Sequence, residues 1–205
     1  MKTSGPLTES TIHDYLELLS SAEPTPGGGS AASLVASIAS SLGSMVVAVG
    51  KKRGDDRRLT EIGDGLLKLR ERFLGLARED EEAFGRVLAA YHLPKGDPNR
   101  PGRIEEALQG ASAVPLELAE GCLDLLRLLI DLAPLAGRQI VSDVGVAAIL
   151  AKAAIDSALL NILVNASYMH DRSAIEGMER ESDRISALGD ELAREVYSLV
   201  VTRIR

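Results

Sequence analysis

The segment EPTPGGGS carries two prolines and three consecutive glycines directly before a long uncharged stretch. The prolines exclude a helix interior, and the glycines permit positive φ. Glycines leading into a helix leave backbone N–H groups uncovered, and the helix dipole favours an anion there. The candidates for binding a phosphate or carboxylate are Pro26, Gly27, Gly28, Gly29 and Ser30. A plain flexible helix entry is the alternative, since neither Walker spacing nor GxGxxG is present.

Further polar side chains lie in the otherwise apolar segment 142–165. Ser142 and Asp143 open it, and Asp143 can be a simple N-terminal cap. Asp156 stands four residues after Lys152, a spacing at which the two can form an ion pair on a helix. The sequence leaves these structural interpretations open beside functional ones.

Two amides occupy the same apolar segment. Asn161 and Asn165 lie one helical turn apart, on the face that also carries Ser157. An unpaired amide in an apolar helix is costly, so each needs a hydrogen-bonding partner. The pair is expected either to join neighbouring helices or to bind a ligand.

Charged residues that are candidates for a functional role occur in two other segments of the sequence. Asp80 lies one turn before Phe84 within REDEEAFGR, where a solvated charged face is the alternative to a reactive carboxylate. Lys51 and Lys52 follow the uncharged stretch and suit the negative end of a helix dipole. As functional groups, these lysines can hold an anionic part of a ligand.

The composition excludes several classes of function. There are 23 Lys and Arg against 30 Asp and Glu, a net charge of −7, and no basic cluster, so nucleic acid is not an expected partner. One cysteine and three scattered histidines give no metal-ligand spacing, and we expect no bound metal. The lone Cys122 and an N-terminus without an apolar or basic signal predict a cytoplasmic protein.

Helical periodicity runs through the whole chain. Aromatic residues are only 3%, while Ala, Leu, Glu and Arg abound, a balance that favours helices over strands. We predict an all-α bundle of long, mostly antiparallel helices forming one domain over residues 1–205. The predicted helices cover 9–21, about 30–49, 57–91, about 103–133, 143–169 and 171–204, with a kink or break at Pro115 and a boundary near Gly189.

The uncharged residues 31–50 have the length of a membrane span. Five of these twenty residues are serines, and no Trp or Tyr flanks either end. Small residues recur at four-residue spacing, which gives the helix a face that another backbone can approach closely. We therefore predict a buried bundle helix, packed within one chain or across a dimer interface, and no membrane partner.

Five segments together resemble the cyclodeaminase/methenyltetrahydrofolate cyclohydrolase family, also known as the C-terminal domain of formiminotransferase-cyclodeaminase. They are PTPGGGSAAS (24–33), GKK (50–52), DEEAFGRVLAAYHLPK (80–95), ASAVPLEL (111–118) and SDVGVAAILAKAAIDSALLNILVN (142–165). The resemblance implies an all-helical homodimer that acts on one-carbon units of tetrahydrofolate without a metal or a permanently bound cofactor. Arg138, where the family often has an amide, and Asp156, where glutamate is common, depart from the pattern.

The resemblance also implies roles for the candidate residues. Cyclodeamination and cyclohydrolysis both move a proton beside a cationic, amidinium-like carbon. A carboxylate can stabilise this cation and can also act as the base that accepts the proton. We expect Asp143 to be the general acid/base and Asp80 to assist it. The amides of Gly27 to Ser30 would hold a substrate carbonyl or carboxylate. This places the site where the glycine segment meets the helix that Asp143 opens, near the dimer interface.

The resemblance gives the remaining polar residues a place at the substrate. Asn161 and Asn165 would bind the pterin edge, and Lys51 and Lys52 the glutamate tail. Ser142 and Asp156 complete the expected substrate-binding set.

Alternatives to this enzyme remain open. The same groups serve ammonia release and water addition, so the sequence does not choose between cyclodeaminase and cyclohydrolase, nor decide whether a formiminotransferase partner supplies substrate. The shortage of aromatic residues for pterin stacking supports a catalytically silent folate-binding or subunit-interaction module. A purely structural helical dimer is a third interpretation.

Overall fold

The computed structural model describes residues 11–52, 54 and 56–205. In this part of the chain there are six helices and no strand, which confirms the predicted all-α class. They are α1 (Ile12–Leu19), α2 (Gly28–Lys51), α3 (Arg57–Tyr91), α4 (Arg100–Leu132), α5 (Val141–Ser167) and α6 (Arg172–Ile204).

Helices α2 to α5 form a four-helix bundle. α2 packs against α3 and α5, α4 packs against the same two helices, and α6 covers α4 and α5 from outside. The centre is filled by large apolar side chains with no exposed surface, including Leu66, Phe73, Leu126 and Ile155. Burying such side chains supplies most of the free energy that holds long amphipathic helices together.

The small residues of α2 explain how close it lies to α3. Ser40 donates a hydrogen bond to the backbone oxygen of Leu66, and Ser37 donates to the backbone oxygens of Ser33 and Arg70. α2 and α5 are both long and apolar enough to span a bilayer by length and composition alone, with 50% and 39% of their most apolar windows buried in this fold. Their small and apolar faces pack against neighbouring helices here.

The predicted start of α2 and the predicted boundary near Gly189 were wrong, and of the kink or break expected at Pro115 the break does not occur. α2 begins at Gly28, so two of the three glycines lie in its first turn, and none of the three has positive φ. α4 runs unbroken through Pro115, whose burial against the core offsets the backbone hydrogen bond that proline cannot make. α6 runs unbroken through Gly189, where a Cβ would lie 3.1 Å from the Ile155 side chain, because this glycine lets α6 pack closely on α5.

The outward face of α5 is apolar and uncovered. Its large exposed side chains are Val146, Ile149, Leu160, Leu163 and Val164. On α2, Ile38 and Met45 are exposed as well. The two most apolar helices of the bundle therefore both present apolar surface to the outside.

Candidate active site

The first turn of α2 meets a carboxylate of α3. A Cβ built on Gly29 would overlap the carboxylate of Asp80, so only glycine allows this approach. A Cβ on the preceding Gly28 would lie 3.7 Å from the side-chain oxygen of Asn161 on α5. Three helices thus converge where α2 begins, and Gly28 and Gly29 serve close contact between helices rather than a turn with the positive φ that glycine permits.

The surroundings of Asp80 raise the pKa of its carboxyl group above that of an exposed aspartate. Burial raises the pKa of this carboxyl group, the backbone N–H of Ser30 lowers it, and the nearby Glu81 raises it further, with a net increase. A desolvated carboxylate next to a helix N-terminus is a stronger base than one in water. Asp80 can therefore accept and return a proton closer to neutral pH than an exposed aspartate.

A chain of hydroxyl groups leads from α1 to α3. The Ser30 hydroxyl donates to Glu81 at 3.3 Å, and the hydroxyl of Tyr15 lies 3.4 Å from the Ser30 oxygen. Burial raises the pKa of Tyr15 and that of Glu81. Sequence reasoning missed both residues. Glu81 lies within the charged run REDEEAFGR, and Tyr15 lies at an apolar position of an amphipathic helix, so neither pattern distinguishes them from structural residues.

Asn161 and Asn165 lie at the same end of α5. Asn161 donates to the backbone oxygen of Ser157 at 2.8 Å, and its amide group lies beside Gly28. Asn165 is half-buried one turn further on. Pro26 is buried just before α2, and Gly27 is the N-cap residue of that helix. The predicted segment Pro26 to Ser30 is thus brought together with Asp80 and Asn161.

Other predicted residues lie at the opposite end of the bundle. Asp143 is 18 residues before Asn161 on α5, about 27 Å along the helix axis. Lys51 and Lys52 end α2, about 35 Å from its start. Within one chain the glycine segment does meet the helix that Asp143 opens, but it does so at Asn161. The expected assembly of Asp143 with the glycines does not occur in the isolated chain.

Asp143 is not the N-cap residue of α5, although the sequence allowed that role. Ile140 is the N-cap residue and makes no side-chain hydrogen bond, and Asp143 lies within the first turn. Ser142 is exposed and Asp143 is half-buried. A first-turn aspartate is favourable with the helix dipole. Arg138, just before this helix, donates to the backbone oxygen of Ile204 at the end of α6.

Asp156 has a structural partner. The Lys152 ammonium lies 2.6 Å from Asp156 and 2.8 Å from Asp190 on α6, so it bridges two carboxylates. This confirms the ion pair that the four-residue spacing indicated. The Asp156 side chain therefore points toward α6, away from the face that carries Asn161.

Within the described ranges, no group of three or more His, Cys, Asp or Glu side chains is arranged to hold a metal ion. Cys122 is fully buried in the core, and this burial raises the pKa of its thiol. The chemistry available at the start of α2 is therefore that of carboxylates, hydroxyls and amides.

Known proteins are similar to this chain in sequence and in fold. A family model described as formiminotransferase-cyclodeaminase matches residues 11–184. Methenyltetrahydrofolate cyclohydrolase of Methylorubrum extorquens is 34% identical over 205 residues, covering 95% of this chain and 97% of that protein. Formimidoyltransferase-cyclodeaminase of Rattus norvegicus is 31% identical over 90% of this chain, which spans only 36% of that protein.

A solved structure agrees with these matches. The crystal structure of formiminotetrahydrofolate cyclodeaminase from Thermotoga maritima has a TM-score of 0.88 to this chain at 24% identity, covering 97% of this chain and 99% of that one. At this identity the likeness shows a shared fold. Since the family model matches most of the chain and one relative is 34% identical over nearly all of it, the protein belongs to the formiminotransferase-cyclodeaminase family.

Proposed function

We propose that this protein is a folate one-carbon enzyme and, more specifically, that it converts 5,10-methenyltetrahydrofolate to 10-formyltetrahydrofolate. The observation that carries the proposal is the Asp80 carboxylate held over Gly29, desolvated and facing the Ser30 N–H. The choice of cyclohydrolase is supported by the Methylorubrum extorquens relative, a cyclohydrolase that matches along 97% of its own length.

The reaction needs a base beside a cation. Water adds to the electrophilic carbon of the methenyl bridge, and one of its two protons passes to the carboxylate of Asp80. The bond from that carbon to N5 then breaks as the new hydroxyl group loses its proton to solvent and becomes the formyl oxygen. N5 takes the proton from Asp80, and the formyl group stays on N10. The negative charge of Asp80 stabilises the cationic substrate before water attacks, and the loss of water-mediated screening in a buried site strengthens this effect.

Substrate binding uses the remaining groups at this end of the bundle. Uncovered N–H groups in the first turn of α2 can donate to a carbonyl or carboxylate of the substrate. The side-chain amides of Asn161 and Asn165 supply donors and acceptors that match the pterin edge. The hydroxyl chain from Tyr15 through Ser30 to Glu81 holds the first turn in place beside Asp80.

Cyclodeamination is the second candidate. It is favoured by the family description and by the rat relative, which is a formimidoyltransferase-cyclodeaminase. In that reaction N10 attacks the formimino carbon of 5-formiminotetrahydrofolate, whose imino nitrogen is protonated, and Asp80 takes the N10 proton. Asp80 passes this proton to the former imino nitrogen, and the bond between that nitrogen and the carbon breaks to release ammonia and leave the methenyl bridge. A formiminotransferase, fused or separate, would then supply the substrate; this chain spans 36% of the rat protein.

The absorbance of methenyltetrahydrofolate distinguishes these activities. Purified protein is given either 5-formiminotetrahydrofolate or the methenyl compound, beside the variants Asp80→Asn and, as a remote control, Gly177→Ala. Accelerated loss of the methenyl chromophore supports the cyclohydrolase, and its formation supports the cyclodeaminase. Binding of folate without either change would instead support a silent folate-binding module, and absence of binding would refute the folate proposal.

A further inference from the structure

The few aromatic residues of this chain gather at one end of the bundle. The sequence has two phenylalanines and four tyrosines. Phe73 lies in the core, and Tyr197 lies near the far end of α6. The other four lie at the end of the bundle where α2 begins: Tyr15, Phe84, Tyr91 and Tyr168. The end that carries the candidate active site therefore has most of the aromatic rings of the chain.

Phe84 lies on the side of α3 that α2 covers further along the bundle. Leu66, whose backbone oxygen accepts a hydrogen bond from Ser40 of α2, is 18 residues before Phe84. This separation is about five whole turns, so both residues lie on the same side of α3. The first turn of α2 lies against Asp80, and α2 does not extend the further turn to Phe84. The Phe84 side chain is 39% exposed as a result.

A strip of side chains continues from Asp80 to the end of α3. Phe84 follows Asp80 by one turn, and Leu88 and Tyr91 follow it by about two and three turns, so all lie along one side of the helix. We call these four residues the α3 strip. Tyr91 is 39% exposed, as Phe84 is, and Leu88 is half-buried. The strip thus consists of a carboxylate followed by two open aromatic rings over about 16 Å.

A cation lies at the far end of the α3 strip. The guanidinium carbon of Arg100 is 5.9 Å from the centre of the Tyr91 ring. Arg100 donates hydrogen bonds to the backbone oxygens of Tyr91 and Leu93, which use two of its five N–H donors. Within the described part of the chain, no carboxylate forms an ion pair with Arg100. Its charge and three of its donors are therefore available to an anion.

The order of these groups matches the order of the parts of a folate. In tetrahydrofolate the one-carbon bridge joins the pterin to a p-aminobenzoyl ring, and that ring carries a glutamate. With the bridge at Asp80, the pterin extends toward Asn161 on α5. The rest of the molecule then extends to the other side of the α2 start, along α3, where its ring meets Phe84 and its carboxylates meet Arg100.

We propose that the α3 strip and Arg100 form the subsite for the p-aminobenzoylglutamate half of the substrate, with the benzoyl ring stacked on Phe84 and a glutamate carboxylate held by Arg100. The identity of this ligand rests on the proposed function. The open strip and the unpaired arginine are properties of the chain itself. The subsite gives the tail a cation at the correct end of one chain, whereas Lys51 and Lys52, which were expected to bind it, end α2 at the opposite end.

Removing the glutamate from the ligand tests Arg100. Tetrahydropteroate is tetrahydrofolate without its glutamate, and binding of both compounds is measured by anaerobic titration calorimetry. Wild type should bind tetrahydrofolate roughly 10- to 100-fold more tightly, which is the usual gain from hydrogen bonds to a charged group. Arg100→Gln should lose this preference and keep the wild-type affinity for tetrahydropteroate. Arg100→Lys, which retains the charge, should keep a large part of the preference.

Arg86→Gln is the matched control. Arg86 is exposed on the same helix and forms no ion pair, but it is two residues after Phe84 and projects about 200° away around the helix. Its replacement removes the same charge and should leave the preference for tetrahydrofolate at the wild-type level. An equal loss in Arg86→Gln would show an effect of net charge alone and would overturn the proposal.

Arg100 has a structural role that the two ligands separate from binding. Its hydrogen bonds to Tyr91 and Leu93 hold the end of α3, so Arg100→Gln can also disturb the helix. Such a disturbance would weaken the binding of tetrahydrofolate and tetrahydropteroate alike. Equal weakening of both ligands, or an unchanged preference in Arg100→Gln, would overturn the assignment of Arg100 to the glutamate.

Substitution of Phe84 tests the stacking. Phe84→Leu keeps an apolar side chain without a ring, and it should weaken binding of both compounds by about 3- to 10-fold, the value of an aromatic pair. Phe84→Tyr should bind as wild type does. In turnover the loss should raise KM and leave kcat within about twofold, because the ring is held equally in the ground state and the transition state. Wild-type binding by Phe84→Leu, or equal weakness of Phe84→Tyr, would overturn the stacking.

The two proposals fail in different ways. A protein that binds tetrahydrofolate with the expected preference but leaves both folate substrates unchanged would refute the proposed function and retain the subsite. A protein that turns over folate with the same KM in wild type and Arg100→Gln would retain the function and refute the subsite. Binding of neither compound would refute both.

Discussion

Replacing Gly29 by alanine separates the role of this glycine in catalysis from its role in stability. The added Cβ would overlap the Asp80 carboxylate, so that side chain has to rotate away. Alanine in a helix is favoured over glycine by about 1 kcal/mol, and overpacking costs about 1–3 kcal/mol. The free energy of unfolding should therefore fall by no more than about 2 kcal/mol.

The effect on activity should be much larger. Displacing a reacting group by about 1 Å can cost 10²-fold in rate, so kcat of Gly29→Ala should fall by at least about 10²-fold. The assay is the initial rate of change of methenyltetrahydrofolate absorbance, with unfolding followed by circular dichroism in urea.

A matched substitution provides the control. Gly177 lies in α6, and its added Cβ would meet no atom within 4 Å. Gly177→Ala should gain about 0.5–1 kcal/mol of stability with an unchanged rate. If Gly29→Ala is as stable as Gly177→Ala and keeps the wild-type kcat, then Asp80 is not held in a reactive position by this contact, and the proposed role of Asp80 is wrong.

Three further predictions concern Asp80 and Tyr15 at the candidate active site and Cys122 in the core. Burial raises the pKa of Asp80, so protonation of this group stabilises the fold below its unfolded pKa of 3.8, and the stabilisation is lost as pH rises through the higher folded value. Asp80→Asn should therefore be more stable than wild type at pH 7, and the difference in unfolding free energy should shrink toward pH 4 in urea titrations. An equal difference at both pH values would contradict this. Tyr15→Phe should lose about 0.5–1.5 kcal/mol of stability in urea unfolding, because the Tyr15 hydroxyl contacts Ser30 in a buried place. It should also lose a smaller part of the activity than Asp80→Asn loses. A fully stable variant would show that the contact is not formed. Cys122 should not react with a thiol reagent in the native protein and should react fully in denaturant, and rapid native labelling would show that the core opens.

The sequence predicted the architecture well because its signals are local. Helical periodicity and the absence of strand patterns do not depend on distant contacts, and the bundle confirms them. The predicted ion pair of Lys152 with Asp156 needed only the spacing of one helical turn. The family resemblance inferred from five segments is confirmed by the family model and by the relatives.

The errors arose where tertiary contact overrides local preference. Pro115 and Gly189 weaken a helix locally, yet burial of their helices against the bundle keeps α4 and α6 continuous. The three glycines suggested a flexible loop because periodicity cannot show that the Asp80 side chain will lie against Gly29.

The site was predicted in part for a related reason. The sequence identified Asp80, the glycine segment and the two asparagines, and the fold brings Asp80, the glycines and Asn161 into contact. Asp143, Lys51 and Lys52 lie at the opposite end of the bundle within one chain, and a sequence does not show how far apart residues lie in the fold. Whether they act at the site stays a prediction, which depends on the expected homodimer.

The large exposed residues on the outward face of α5 have a consequence for how this family evolves. Val146 and Leu163 are about 25 Å apart within one chain, and Ile149 and Leu160 about 17 Å, so neither pair touches in the monomer. If the expected homodimer pairs two copies of α5 antiparallel through this face, so that Val146 meets Leu163 and Ile149 meets Leu160 of the other copy, a larger side chain at one position favours a smaller one at the other. Substitutions 17 and 11 residues apart on the same helix should then be correlated among related sequences, although the fold of a single chain gives no reason for it.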